Sequence, residues 1–206
     1  MILLPTIFSP IIQYVAIVNC NGVVFENEDN YQKQTYRNRY YIYGANGKQL
    51  LNIPIIHNKN KGYLKTKDVL IDKSYSWPKL HIKSLQTSYR SSPYFEFYED
   101  ELLNLFNNKF KYLIDLNIQS FQLILDFLQV DLPFDKTNEY HLEYDNTLDF
   151  RNLANAKSKS EYLFKNYTQV FDNKFGFVSN LSILDLIFNE GPNALEYLEG
   201  HKKLLF

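Results

Sequence analysis

The first 26 residues, MILLPTIFSPIIQYVAIVNCNGVVFE, constrain the fold more than any other stretch, because two prolines and an Asn-Gly pair cut one long apolar run into pieces. Met1–Leu4 reads as a short buried strand and Pro5–Ser9 as a loop. Ser9 stands where a capping hydroxyl is wanted, with Pro10 at the first helical position, where a missing amide costs nothing. Ile11, Ile12, Val15, Ala16 and Val18 then suit a short buried helix, although their β-branched content leaves a strand open. Asn21-Gly22 marks a turn and Val23–Glu26 a second strand. Strand, helix, strand in this order points to a right-handed parallel unit. The same run is a poor secretory leader, since it has no basic start and Pro5 and Pro10 interrupt it. No other stretch nears the roughly twenty apolar residues of a membrane helix. A cytoplasmic protein without membrane insertion is the expectation.

Further along, Arg39–Tyr43 and Gln49–Ile56 look like strands joined through Ala45-Asn46-Gly47-Lys48, where Asn-Gly signals a hairpin. A Lys/Asn-rich turn at His57–Gly62 precedes a short strand expected at Val69–Ile71. Helices follow: one from Ser76 and Pro78 towards Arg90, one from Pro93 through Phe106, and the clearest over Tyr112–Leu128. Phe134–Asn155 is ambiguous, with an extended segment expected around Tyr140–Tyr144. Two short helices, Leu181–Phe188 and Pro192–Leu198, are parted by Gly191-Pro192. With no repeat and no low-complexity linker, the 206 residues read as one domain. Its class is α/β, with a small mostly parallel or mixed sheet in the N-terminal half and helices gathered in the C-terminal half.

Charge is balanced, 22 basic residues against 23 acidic, so a global polyanion surface and a nucleic-acid partner are not expected. Tyr31, Tyr36, Tyr40, Tyr41 and Tyr43 crowd a basic loop, a mixture that can stack bases, but no basic stripe accompanies them. Cys20 is the sole cysteine, which rules out an intrachain disulfide; it reads as a small buried hydrophobe before a nucleophile. The four histidines, at 57, 81, 141 and 201, are far apart in sequence and form no metal-binding pattern. The seven glycines are scattered, so neither a phosphate loop nor a dinucleotide fingerprint fits, and the sequence identifies no cofactor.

Lys outnumbers Arg 18 to 4, so an arginine carries more weight here than a tyrosine or asparagine. Two of the four lie in Gln32-Lys33-Gln34-Thr35-Tyr36-Arg37-Asn38-Arg39, in the loop after the second strand, where α/β sheets usually bind ligands. If the backbone is extended from Arg37, both guanidiniums share a face. They could then clamp phosphates or a carboxylate, with Gln32, Gln34 and Asn38 completing the hydrogen bonds. The competing reading is a solvated hairpin edge. A second group, Trp77, His81, Ser84 and Ser88, shares one helix face. His81 is a candidate general base and Ser84 a weaker nucleophile; the alternative is a packed aromatic helix whose histidine bonds a neighbour. In a third group, Asn180, Ser182, Asp185, Asn189 and Glu190, a capping role for Asn180 or Ser182 competes with a ligand role for Asn180 and for Asp185, which with Asn189 four residues on could face a site. The N-terminal strand, the 29–39 loop and the 76–90 helix are expected to converge on one pocket.

Four blocks carry a resemblance to a known family: LLPTIFSPIIQY; NYQKQTYRNRYYIYGANGKQLLNIPI; Asp72 onward through WPKLHIKSLQTSYRSSPYFEFY; and GFVSNLSILDLIFNEG. In their order they resemble the WbqC-like family, especially its Bacteroidetes-type forms. Many relatives have a Gln-Pro pair near the first strand; here Leu4 precedes Pro5, so a role for that glutamine does not carry over. The resemblance implies surface-polysaccharide (O-antigen-type) biosynthesis and transfer of an acyl or aminoacyl group, such as glycine, onto an amino sugar. The partners implied are a nucleotide-linked or lipid-linked sugar and an acyl or aminoacyl donor that could be carrier-bound. The alternative is a non-catalytic glycan-binding or nucleotide-sugar-binding accessory protein, with Trp77 and the tyrosines as a sugar platform.

Overall fold

The computed structural model describes residues 1–56, 64–158 and 160–206, so the turn at 57–62 lies outside the described residues. Three strands, β1 (Ile2–Leu3), β2 (Val23–Phe25) and β5 (Phe134–Lys136), form a parallel sheet with β2 in the centre. The register pairs Leu3 with Phe25, and Phe25 with Lys136. Helix α1 (Ile11–Val18) connects β1 to β2 and buries seven of its eight residues, Ile11 through Ile17. Burial on nearly every side explains why β-branched residues are accepted in a helix so short. The cap is Pro10 rather than Ser9, and proline offers no side-chain oxygen. Asn180 fills the gap from 168 residues away, its Oδ1 accepting the Ile12 amide at 2.9 Å.

A separate antiparallel hairpin joins β3 (Arg39–Gly44) to β4 (Gly47–Asn52), turning through Ala45-Asn46 with Gly47 at φ +93°. The Val69–Ile71 stretch makes only isolated bridges, Ile55 to Ile71 and Leu70 to Tyr112. Helices α2 (Trp77–Tyr89), α3 (Phe95–Asn107) and α4 (Leu113–Leu128) follow. Helix α4 packs on the sheet through Phe121, whose ring lies 4.9 Å from Phe25 and 5.4 Å from Phe134. No strand forms around Tyr140–Tyr144; the strand in that region is β5 instead. The tail supplies α5 (Asp172–Phe175), α6 (Ile183–Glu190) and α7 (Ala194–Gly200). Ser182 caps α6, accepting the Leu184 amide and donating to the Phe8 carbonyl at 2.8 Å. Gly191 ends α6 at φ +52°, where a Cβ would lie 2.6 Å from the Tyr94 ring. Only glycine tolerates both conditions.

Among the buried polar side chains, Asp185 and His81 tie elements of the core together. Asp185 is fully buried and accepts from Tyr89 Oη (2.7 Å), Tyr167 Oη (2.6 Å) and Gln169 Nε2 (2.7 Å). Tyr89 in turn accepts the Tyr43 amide at 2.9 Å, so one carboxyl ties α6 to α2, the hairpin and the 167–169 segment. Burial raises the Asp185 pKa, and the three donors oppose the rise. His81 is buried between α2 and the hairpin. Its Nε2 faces the Asn52 carbonyl oxygen at 3.2 Å and its Nδ1 the Tyr40 hydroxyl at 3.0 Å. A carbonyl only accepts, so Nε2 carries the hydrogen and Nδ1 accepts from Tyr40.

Asp185→Asn sets an amide N–H against groups that already donate, and urea unfolding should show a loss of about 3 kcal/mol; an unchanged midpoint would rule out the network as a tie. Burial pushes the His81 pKa from 6.5 down to about 4. The folded chain therefore binds this proton less readily than the unfolded chain. The stability concerned is complete above about pH 6.5 and falls as pH drops towards 4, by about 2 kcal/mol at pH 5. Compared with His81→Gln, the parent should lose that increment between about pH 7 and pH 5. Parallel pH profiles for the two proteins would contradict the assignment.

Candidate functional site

The chain leaves β1 at Leu4 and β2 at Glu26, so the residues that follow sit at the carboxyl edge of the parallel sheet. This edge gathers buried charge. Glu26 accepts from Tyr144 Oη (2.8 Å), Thr137 Oγ1 (3.0 Å) and the Glu28 amide (2.7 Å). Asp29 accepts Thr66 Oγ1 at 2.6 Å and is ion-paired with Arg37, whose side chain is fully buried. Arg37 also donates to Thr35 Oγ1 at 3.2 Å. Burial raises the Asp29 carboxyl while the guanidinium beside it opposes the rise, and burial lowers Arg37 against the pull of Asp29. Buried, mutually perturbed charges at a sheet edge are a physical signature of a functional site.

A pocket of about 250 Å³ opens here, with Asp29 and Arg37 in its lining. Gln32 and Thr35 line one side; Tyr140, Arg151, Asn152 and Asn155 line another. Two backbone links hold the sides together: a bridge between Thr35 and Asn155, and the Tyr36 amide on the Ala154 carbonyl at 2.8 Å. Arg151 fixes the far wall. It donates to the His141 and Leu142 carbonyls (2.9 and 2.7 Å), pairs with Asp149 and lies 5.1 Å from the Tyr144 ring centre. Tyr144 then reaches Glu26, which closes a chain from Arg151 back to β2.

The two arginines do not share a site. Arg37 lies in a turn and the strand begins only at Arg39, so strand alternation does not govern the pair. Arg39 lines a second pocket of about 470 Å³, together with Lys33, Gln34, Asn38, Tyr31 and Tyr75. Asn38 spends its amide on Asn52 Oδ1 (3.1 Å) and the Ile53 carbonyl (2.9 Å). The glutamines divide in the same way, since Gln32 lines the Arg37 pocket and Gln34 the Arg39 pocket.

Residues of α2 are also dispersed. Trp77 packs 5.1 Å from the His81 ring and lines a pocket of about 410 Å³, while Ser84 takes a 3.3 Å hydrogen bond from Gln49 and lines a pocket beside the hairpin turn. With both ring nitrogens engaged, His81 offers no lone pair to a substrate. Asn180 and Asp185 serve as the remote cap and the core tie described above. Cys20 donates to the Ile17 carbonyl at 3.0 Å, and burial raises its pKa away from the reactive thiolate. The N-terminal strand, the 29–39 loop and α2 thus border several pockets rather than one. Asp29, Glu26, Tyr140, Tyr144, Arg151, Asn152 and Asn155 are the candidate-site residues that sequence reasoning missed. The scarcity of arginine was a usable signal for Arg151.

Among the described residues, no helix is long and apolar enough to cross a membrane. No solved structure matches the chain. It is 24% identical over 204 residues to the uncharacterized protein Rv1507c of Mycobacterium tuberculosis, a match that covers 85% of this chain and 86% of that protein. The description WbqC-like protein family fits residues 6–164, which include the whole 29–39 loop, α2 and the Arg151 wall. The chain belongs to the WbqC-like protein family.

Proposed function

We propose that this protein acts in the cytoplasm in surface-polysaccharide (O-antigen-type) biosynthesis, transferring an acyl or aminoacyl group such as glycine onto an amino sugar held in the Asp29–Arg37 pocket. One observation carries the reading: a small pocket at the carboxyl edge of a parallel sheet, where the Asp29–Arg37 pair and Arg151 are bordered by neutral amides and a tyrosine. At about 250 Å³ the pocket falls below the range typical of sites for larger ligands, which suits one sugar ring. Sugar hydroxyls both donate and accept, and Gln32, Asn152 and Asn155 can answer in either sense. An amine on the ring can donate to the lone pairs that the Asp29 carboxylate keeps beside Thr66 and Arg37.

In the transfer, the amine lone pair attacks the carbonyl carbon of an activated, carrier-bound or aminoacyl donor. The bond from that carbon to the leaving group breaks, the leaving group departs with the electron pair, and the nitrogen sheds a proton. The departing leaving group takes that proton in this reading, because the Asp29 carboxylate is already the counter-ion of buried Arg37. A second reading, a non-catalytic sugar-binding accessory of the same pathway, is favoured by the engagement of His81 and Ser84 within the protein.

Calorimetry with an amino sugar and its N-acetylated counterpart should show tighter binding of the free amine. Gln32→Ala and Asn152→Ala should each weaken binding roughly threefold to tenfold, as neutral hydrogen bonds are lost. Mass spectrometry of mixtures with thioester and aminoacyl donors then reads amide formation. Binding without amide from any donor would select the accessory reading. No binding of either sugar would sink both.

A further inference from the structure

The Arg39 pocket has no part in the amino-sugar reading, and its chemistry differs from that of the Asp29 pocket. Both arginines have a buried, unpartnered Nε, but Arg37 is neutralised by Asp29, whereas Arg39 makes no side-chain hydrogen bond or ion pair among the described residues. The Oδ1 of neighbouring Asn38 is likewise buried and unpartnered. Tyr75 lines both this pocket of about 470 Å³ and the Trp77 pocket of about 410 Å³, so the two adjoin at this residue. Around the joined groove stand four cations, Lys33, Arg39, Lys73 and Lys109, against one carboxylate, Asp72, in a chain whose net charge is −1. Asp72 is engaged within the protein, where its Oδ1 takes the Ser74 amide at 2.8 Å and holds the turn that presents Tyr75.

We propose that this groove binds a nucleoside diphosphate, with the diphosphate at Arg39 and Lys33 and the base along Tyr75 towards Trp77. A guanidinium fork matches phosphate oxygens two at a time. Tyr75 is 56% exposed and presents an aromatic face of the kind on which bases stack. The Trp77 end sets Ser74, Ser76 and Asn108, which suit the edge of a base, beside the apolar Ile71, Phe106 and Phe110, which suit its faces. The inference deepens the amino-sugar reading by naming the sugar's activated handle as nucleotide, and it rests on that reading only for the identity of the sugar. The diphosphate is tested with no sugar present.

The full chain is titrated calorimetrically with uridine and guanosine diphosphate, inorganic pyrophosphate and geranyl diphosphate. At least one nucleoside diphosphate should bind more tightly than pyrophosphate. Arg39→Ala should weaken it roughly tenfold or more, and Arg39→Lys should remain several-fold weaker than the parent, because charge without the fork is not enough. Tyr75→Ala should weaken the nucleotide and leave pyrophosphate unchanged. Gln32→Ala, in the other pocket, should leave nucleotide binding unaltered even where it weakens the amino sugar. Equal far-ultraviolet circular dichroism of parent and variants guards against misfolding, and Arg39→Lys serves if Arg39→Ala fails that check. The proposal is overturned if no nucleoside diphosphate binds, if geranyl diphosphate binds more tightly, or if folded Arg39 variants bind as the parent does.

Discussion

A guanidinium removed from water must be answered by an anion, and in this protein Arg37 is answered by Asp29. That pair lies under the loop running from β2 to β3, and its neighbours extend the hold. Thr66 bonds the Asp29 carboxylate and Thr35 the guanidinium. On the far side, Asn117 of α4 donates at once to the Pro5 and Arg37 carbonyls, at 3.0 and 2.9 Å. The exit from β1 and the approach to β3 are thereby pinned to the same helix. A buried pair of this kind adds little net stability over an apolar replacement, yet losing one partner strands a charge. Its value lies in position: it holds a single shape for the carboxyl edge, and the pocket at that edge exists because the loop has that shape.

The polar interior separates two kinds of residue that look alike in a sequence. Asp185, His81 and Glu26 are buried with several hydrogen bonds each and act as cross-links. Gln32, Asn152 and Arg39 sit at pocket walls without such bonds among the described residues, and these are the groups with capacity left for a ligand.

Much of the frame was legible, because it depends on local chemistry. The prolines and Asn21-Gly22 cut the N-terminal run into the observed strand, helix and strand. Apolar spacing marked α4, and Gly191-Pro192 marked the break between α6 and α7. Strand β5 was not legible, since Phe-Asp-Lys has no pattern and becomes a strand only by lying beside β2. The site was half legible. Arg37 and Gln32 stood out, but the partners that define their roles come from other segments, Thr66 for Asp29 and Asn155 for Thr35. His81 looked like a base because its acceptor and donor, Asn52 and Tyr40, lie 29 and 41 residues away. The expected two-arginine clamp failed on a single backbone fact, that the strand begins at Arg39 and not at Arg37.

The account depends most on the Asp29–Arg37 pair being one coupled unit, and a double-substitution cycle tests that directly. Urea unfolding would compare the parent with Asp29→Leu, Arg37→Met and the two together. Each single change should cost about 3–5 kcal/mol by stranding its partner, while the double change should cost less than either. Losses that simply add would mean that the two residues act independently, and would contradict the account.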